Sequence, residues 1–180
     1  MDERVLSKDK VKSMKSKFSY KTNWNSYLPF LYEALEMSKS GLVLEYGMGD
    51  GSTKLLHDYC KAKKRKLKSF DYDKQWAEKF TNLASADHKI YVVTDWDEAF
   101  DPDATVVFID QSPGERRKID IQKYATSKAI VVVHDTEPAA DHGYQMRQYF
   151  GLYKYVKDYQ TNGAWATVLS NHYDITTFNT

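Results

Sequence analysis

The chain has 180 residues, of which 42% are hydrophobic and 28% are charged, and its formal net charge at pH 7 is +1. These proportions predict one folded domain rather than a disordered chain. The near-neutral net charge gives no overall attraction to nucleic acids or membranes. Cys60 is the only cysteine, which excludes an intrachain disulfide framework and a zinc site built from several cysteines.

The first 22 residues are rich in lysine and have few apolar positions, so we assign 1–22 as a basic N-terminal segment and 23–180 as one domain. The segment lacks the apolar core of a secretory signal. The longest apolar runs, 106–109 and 129–133, are too short to span a bilayer. These features predict a cytoplasmic protein with no membrane partner, and none of them predicts an oligomeric state.

Apolar runs alternate with helix-like stretches along the chain. Apolar spacing predicts a helix over 25–37. Five strands are predicted at 42–44, 67–70, 90–93, 106–109 and 130–133, with further helices at 52–62, 74–84 and 139–150. Strands at 153–159 and 165–170 flank a hairpin-type Asn162-Gly163 turn. The predicted fold is a Rossmann-like, doubly wound α/β domain with seven mostly parallel strands and an antiparallel C-terminal hairpin.

Each of the five apolar strands ends at an acidic residue, or within two residues of one. These acids are Glu45, Asp71, Asp95, Asp110 and Asp135. Open α/β sheets bind their ligands outside the carboxyl ends of the strands. We therefore expect the functional site at this edge of the sheet.

A glycine-rich turn follows the first strand, with glycines at 47, 49 and 51. Glycine permits a positive φ and lets backbone N–H groups approach a ligand closely. Ser52 is a poor match to the third glycine of a dinucleotide fingerprint, and Lys54 is misplaced for a P-loop. The carboxylate of Glu45 would repel a pyrophosphate but suits a ligand with a positive ammonium or sulfonium group.

The pattern Glu45-x-Gly47-x-Gly49-x-Gly51 after the first strand, with Asp71 ending the second, resembles motifs I and II of class I S-adenosylmethionine-dependent methyltransferases. The resemblance covers roughly residues 40–170. It implies that S-adenosylmethionine is the cofactor.

The resemblance also implies roles for individual side chains. Residues from Glu45 through Ser52 would surround the methionine part of the cofactor, and Asp71 would hold the ribose, with Tyr72 beside the adenine. Asp95 and Trp96 would flank the adenine edge, although an ordinary core or surface position for Trp96 is an equal alternative.

Methyl transfer to a hydroxyl requires removal of the hydroxyl proton, and the catalytic candidates are Asp110, His134 and Asp135. In one version Asp110 and Asp135 hold a divalent cation such as Mg²⁺, as in catechol-type methyltransferases, with Thr136 where an asparagine is usual. In the other version His134 is the direct general base. A third alternative is a histidine that merely bonds a backbone carbonyl.

A narrower resemblance joins Asp110, the Pro113-Gly114 loop and the His134-Asp135 pair. This set is similar to the glucuronoxylan 4-O-methyltransferase-like group, which implies a saccharide acceptor. Arg116, Arg117 and Glu137 are candidate substrate-binding residues, the two arginines for an anionic acceptor. Glu137-Pro138 replaces the arginine usual in that group.

The sequence therefore predicts an O-methyltransferase acting on a hydroxyl of a saccharide or another small molecule. One alternative is an inactive S-adenosylmethionine-binding interaction module. Another is a nucleic-acid methyltransferase that contacts phosphate through the basic run from Lys61 to Lys68. That reading is less favoured, because a solvated helix end also explains the run and no Asn/Asp-Pro-Pro-Tyr/Phe motif follows the fourth strand.

Overall fold

The computed structural model describes residues 25–178, so the predicted basic segment 1–22 lies outside the described residues. Seven strands form one sheet in the order β3-β2-β1-β4-β5-β7-β6. The strands are β1 (Leu42–Tyr46), β2 (Leu67–Asp71), β3 (His88–Val92), β4 (Ala104–Ile109), β5 (Ile130–His134), β6 (Tyr155–Tyr159) and β7 (Ala166–Ser170). Strands β1 to β5 pair in parallel, whereas β7 is antiparallel to both β5 and β6. The predicted fold class is confirmed.

Five α-helices accompany the strands in the described residues. They are α1 (Leu28–Ser38), α2 (Ser52–Lys63), α3 (Lys74–Glu78), α4 (Arg117–Tyr124) and α5 (Pro138–Tyr144). The helices predicted over 74–84 and 139–150 are shorter than expected, and each is followed by a 3-10 turn. Helix α5 ends at Tyr144 because Gln145 adopts a left-handed conformation. The Asp141 carboxylate then accepts the N–H groups of Met146 and Arg147.

Both faces of the sheet are buried. Along β4, Val106 and Phe108 pack into one apolar cluster, whereas Val107 and Ile109 pack into the other. Successive side chains of a strand point to opposite faces, so a continuous apolar run fills two cores at once. This explains why the central strands lack polar alternation.

The sheet order places the carboxyl ends of β1, β4 and β5 side by side. Tyr46 of β1 is in register with Ile109 of β4, and Ile109 is in register with Val133 of β5. The loops after these strands therefore begin at the same edge.

Among the described residues, no helix combines the length and the apolar character that crossing a membrane requires.

Candidate active site

The turn after β1 depends on Gly47. Its φ is +85°, and its N–H donates to the carbonyl of Phe70 at 2.9 Å. A Cβ atom at Gly47 would lie 2.6 Å from the backbone carbonyl oxygen of Asp110. Only glycine therefore allows the loops after β1 and β4 to lie this close.

Gly49 and Gly51 do not share this conformation, so the expectation of a positive φ is wrong at these two positions. Gly51 has a φ of −84° and precedes the first residue of α2. A Cβ at Gly51 would meet Oδ1 of Asn25 at 2.7 Å and the hydroxyl of Tyr27 at 2.9 Å. Gly51 is therefore needed because the side chains of Asn25 and Tyr27 lie close to its Cα atom, and not because of an unusual backbone angle.

Glu45 lies beneath the turn, fully buried, and does not line the cavities described below. The Gly49 N–H donates to Oγ1 of Thr53 at 3.0 Å, and that hydroxyl donates to Oε1 of Glu45 at 2.9 Å. Burial raises the pKa of Glu45 to about 7, with neighbouring hydroxyl groups partly offsetting it. Its Oε2 atom and Oγ of Ser52 are buried and have no hydrogen-bond partner within residues 25–178.

Asp71, at the end of β2, connects the glycine turn to the next loop. Its Oδ2 atom accepts the N–H of Met48, and its Oδ1 atom accepts the N–H of Asp73, each at 2.9 Å. Burial raises the pKa of this carboxyl, and the backbone donors partly offset the rise. Each oxygen keeps a further lone pair that can accept a ligand hydroxyl.

A cavity of about 210 Å³, called here the smaller cavity, opens beside Asp71. Its lining consists of Gly47, Met48, Asp71, Tyr72, Asp73, Trp76, Asp110 and Ser112. Tyr72 is 54% exposed and lines the cavity. Its expected position beside the adenine stays a prediction.

Trp76 is a lining residue that the sequence analysis missed. Asp73 caps α3 by accepting the N–H groups of Gln75 and Trp76, which orients the first turn of this helix. The indole N–H of Trp76 then donates to the Met48 carbonyl at 2.7 Å. Trp76 could have been identified from the sequence by its position five residues after Asp71.

The structure places Asp95 and Trp96 outside these cavities, contrary to the expected contact with adenine. The Asp95 side chain is 63% exposed and accepts the N–H of Asp97 at 2.9 Å. Trp96 is 7% exposed, packs edge-on against Tyr46 and donates its indole N–H to the Ser112 carbonyl. Trp96 is therefore a core residue, which was the stated alternative.

The ends of β4 and β5 bring the three catalytic candidates together. His134 Nδ1 lies 3.2 Å from Oδ1 of Asp110 and 3.4 Å from Oδ1 of Asp135. Burial lowers the pKa of His134, but the two carboxylates outweigh it and the net shift is upward. The Nε2 atom is buried and has no hydrogen-bond partner in the described part of the chain. The ring of Tyr27 packs edge-on at 4.8 Å between centroids.

Arg117, in the first turn of α4, joins the two acids. Its guanidinium nitrogens lie 3.0 Å from Oδ1 of Asp110 and 3.0 Å from Oδ2 of Asp135. They also donate to the carbonyls of Gln111 at 2.9 Å and His134 at 3.0 Å. Arg117 is 4% exposed, so its donors serve the protein itself rather than an anionic acceptor.

A divalent cation at this cluster would be held by Asp110, His134 and Asp135. Their ligand atoms lie within 4.8 Å of one another, and within residues 25–178 no other group of three such side chains does. However, Arg117 already pairs with both carboxylates. A divalent ion would have to share the same acids with a buried positive charge, which is electrostatically unfavourable. The residues therefore do not fit the tentative metal site.

The other two substrate-binding candidates stabilise loops. Arg116 pairs with Asp120 at 3.0 Å and with Asp97, and Glu137 accepts the backbone N–H of Trp165 at 2.9 Å. Neither residue lines the smaller cavity or the larger one described next.

A second, larger cavity of about 550 Å³ adjoins the smaller one, and the two share Trp76, Asp110 and Ser112. Its other lining residues are Asn25, Tyr27, Gly49, Asp50, Gly51, Arg117, His134, Asp135 and Tyr144. Tyr27 and Tyr144 were not predicted as site residues from the sequence, because an isolated tyrosine in a helix or loop belongs to no motif. The two cavities meet at Asp110, beside the histidine.

Four of the six cations in the basic run between α2 and β2 contact other groups of the protein, whereas Lys61 and Lys64 are exposed. Arg65 is 4% exposed and donates to the carbonyls of Leu35 and Gly41. Lys66 pairs with an aspartate, Lys68 pairs with another at 2.9 Å, and Lys63 pairs with a glutamate at 3.5 Å. These contacts reduce the positive charge that this run offers to phosphate groups.

No protein-family model and no curated protein matches this chain. Solved structures do match its fold. An S-adenosylmethionine-dependent O-methyltransferase from Thermotoga maritima has a TM-score of 0.63 at 13% identity, covering 89% of this chain and 70% of that one. An O-methyltransferase involved in tomaymycin synthesis, from Streptomyces achromogenes and solved with S-adenosylmethionine, has a TM-score of 0.60 at 15% identity, covering 89% and 95%.

A precorrin-6Y C5,15-methyltransferase from Geobacter metallireducens has a TM-score of 0.56 at 11% identity, covering 78% of this chain and 87% of that one. None of these three is a glucuronoxylan methyltransferase, so that narrower resemblance stays a prediction. At these identities the likeness is one of fold. The chain has the seven-stranded Rossmann-like fold that these methyltransferase structures share.

Proposed function

We propose that the protein is an S-adenosylmethionine-dependent O-methyltransferase that acts on a hydroxyl of a small molecule. The observation that carries this proposal is the meeting of two cavities at Asp110. The smaller cavity contains Asp71 and the start of the glycine turn at Gly47 and Met48, whereas the larger one contains the rest of the turn together with His134 and Asp135. The glycine turn therefore borders both cavities, with Asp71 at one end and the histidine at the other.

The smaller cavity fits the cofactor. Gly47 keeps the turn open, the remaining lone pairs of Asp71 accept the ribose hydroxyls, and Tyr72 and Trp76 offer ring faces to the adenine. The buried carboxyl of Glu45 would supply negative charge beneath the turn once it is ionised. When bound, S-adenosylmethionine supplies a methyl group on a positively charged sulfur.

The larger cavity provides the proton acceptor. In the tautomer that donates Nδ1–H of His134 to Asp110, the lone pair of Nε2 is left to accept the proton of the acceptor hydroxyl. Arg117 holds both carboxylates in place and supplies the positive charge that a metal would otherwise provide. Tyr27 lies against the histidine ring and lines the larger cavity.

The lining favours a neutral, polar acceptor, and a saccharide is the class that we propose. Aromatic rings from Tyr27, Trp76 and Tyr144 surround the acidic side chains of this cavity. Both arginines expected to pair with an acidic acceptor are already ion-paired within the protein. An acidic sugar therefore finds no free arginine here.

The test has a binding arm and a transfer arm. Calorimetry with S-adenosylhomocysteine should show one site with micromolar affinity. Methyl transfer from radiolabelled S-adenosylmethionine is then measured on a panel of neutral saccharides and phenols, with His134→Gln as the inactive comparison. Absence of S-adenosylhomocysteine binding would refute the proposal. Binding without transfer to any hydroxyl acceptor would instead favour the inactive module.

A further inference from the structure

A third cavity, also of about 210 Å³ and called here the histidine cavity, lies between α2 and the start of β3. It shares no lining residue with the two cavities of the candidate active site. Its lining consists of His57, Cys60, Lys61, Arg65, Ser85, Ala86, Asp87 and His88. The methyltransferase proposal uses none of these side chains.

Two imidazole nitrogens face each other in this cavity. Nδ1 of His57 lies 3.1 Å from Nδ1 of His88. Two nitrogen ligands bound tetrahedrally to one zinc ion, each at about 2.0–2.1 Å, lie about 3.3 Å apart. The observed separation is close to that value. In the structure the two nitrogens share a hydrogen bond, so a metal ion would take the place of its proton, which moves to solvent or to the outer nitrogen of His57.

The outer nitrogen of His88 is held in a way that suits a metal ligand. Nε2 of His88 lies 3.0 Å from Oγ of Ser69 on the neighbouring strand, and the ring is 2% exposed. A histidine that binds a metal usually donates its other ring N–H to an acceptor, which fixes the tautomer and the ring orientation. In the tautomer that donates Nε2–H to Ser69, the lone pair of Nδ1 faces His57.

We propose that His57 and His88 together bind a divalent transition-metal ion of the Zn²⁺, Co²⁺ or Ni²⁺ class. Two imidazoles suit these ions, whereas Mg²⁺ and Ca²⁺ prefer oxygen ligands. Among the described residues, His57 and His88 belong to no group of three or more metal-ligating side chains. Water therefore fills the remaining coordination positions, and the cavity has room for it.

The surrounding side chains bear on which ion is held. The cavity wall carries the positive charges of Lys61 and Arg65, and its one carboxylate, Asp87, pairs with Lys66. Cys60 follows His57 by three residues on the same helix and is 2% exposed. A shift of its thiol toward the ion would add a thiolate ligand. This site would link α2 to β3, and it does not depend on the proposed methyltransferase activity.

The test is titration of the chelator-treated full chain with Zn²⁺ and Co²⁺. Calorimetry should give one equivalent bound by the wild type. His57→Gln and His88→Gln should each weaken binding by more than about 100-fold, and Ser69→Ala by roughly 10- to 100-fold. The Co²⁺ spectrum reports the ligands, and a thiolate charge-transfer band that disappears in Cys60→Ser would show that the cysteine joins.

Two matched controls separate this site from others. His134→Gln removes a residue of the only other candidate cluster among the described residues, and His142→Gln removes a histidine on α5, so both should bind Zn²⁺ as the wild type does. His57 is only partly buried, so His57→Gln stays informative if His88→Gln does not fold. The proposal is overturned if the wild type binds no Zn²⁺, or if His57→Gln binds it with unchanged affinity.

Discussion

Nδ1 of His134 lies 3.2 Å from Oδ1 of Asp110, although the two residues stand at the ends of different strands. Neighbouring strands are separated by about 4.8 Å, so side chains at adjacent carboxyl ends can share a hydrogen bond. The pairing of β4 with β5 creates this contact, and Arg117 then holds the acid on its other side.

The first prediction concerns pH. Because the net effect of burial and the two carboxylates raises the pKa of His134, the ring is neutral only above a pH higher than the ordinary value of about 6.5. Activity should therefore rise with pH through an apparent pKa above that value. Asp110→Asn should move this limb to lower pH, and His134→Ala should reduce turnover by roughly 10²–10⁴. A wild-type profile that is flat from pH 6 to 9 would exclude His134 as the base.

The second prediction compares two strand-end acids. Asp71→Asn should weaken S-adenosylhomocysteine binding by about 1–3 kcal/mol, because the amide cannot accept at both former carboxylate positions. Asp95→Asn is the matched control, since Asp95 lies outside both cavities. Calorimetry should show no change for it. Equal losses in the two variants would restore the expected contact between Asp95 and the adenine.

The third prediction compares two glycines of one turn. Gly47→Ala should reduce folding stability by more than about 1 kcal/mol, because the residue has a positive φ and its Cβ would collide with the Asp110 backbone. At Gly49 a Cβ would meet only Oγ of Ser52 at 3.2 Å, so Gly49→Ala should cost less than about 1 kcal/mol. Urea unfolding of both variants measures the difference, and a reversed order would contradict the turn geometry.

The fourth prediction concerns the internal cation. Methyl transfer by the wild type should persist in EDTA and gain nothing from added Mg²⁺, because Arg117 already pairs with both acids. Arg117→Ala should lower stability by about 3–5 kcal/mol, since it leaves two partly buried carboxylates without their cation. Calorimetry with Mg²⁺ should show binding only in this variant. Loss of wild-type activity in EDTA, restored by Mg²⁺, would instead support a metal held by Asp110 and Asp135.

Strand positions were predictable because buried parallel strands are continuous apolar runs. Helix α4 was not assigned, since Arg117–Tyr124 carries charges at four of its eight positions and has little apolar spacing. The roles of Arg116 and Arg117 also could not be separated by sequence. The two residues are adjacent, but Arg116 pairs with Asp120, whereas Arg117 pairs with the acids at the ends of β4 and β5.

The site was predicted best where a backbone pattern defines it. The glycine turn and Asp71 were found because their spacing from the strand ends is short and local. Trp76 and Tyr144 were missed because they reach the cavities from separate helices. Asp95 was misplaced for a related reason. An acid after a strand can equally cap the next turn, as Asp95 does by accepting the N–H of Asp97.

Ionisation of the buried Glu45 carboxyl would couple the binding of a cationic cofactor to proton release. With a pKa of about 7, the free protein carries a partly protonated Glu45 at neutral pH. A cationic ligand above the turn lowers that pKa, so binding expels a proton and tightens as pH rises from 6 to 8. The heat of S-adenosylmethionine binding should therefore depend on the ionisation enthalpy of the buffer. Glu45→Gln, which keeps an oxygen for Thr53, should abolish that dependence and weaken binding.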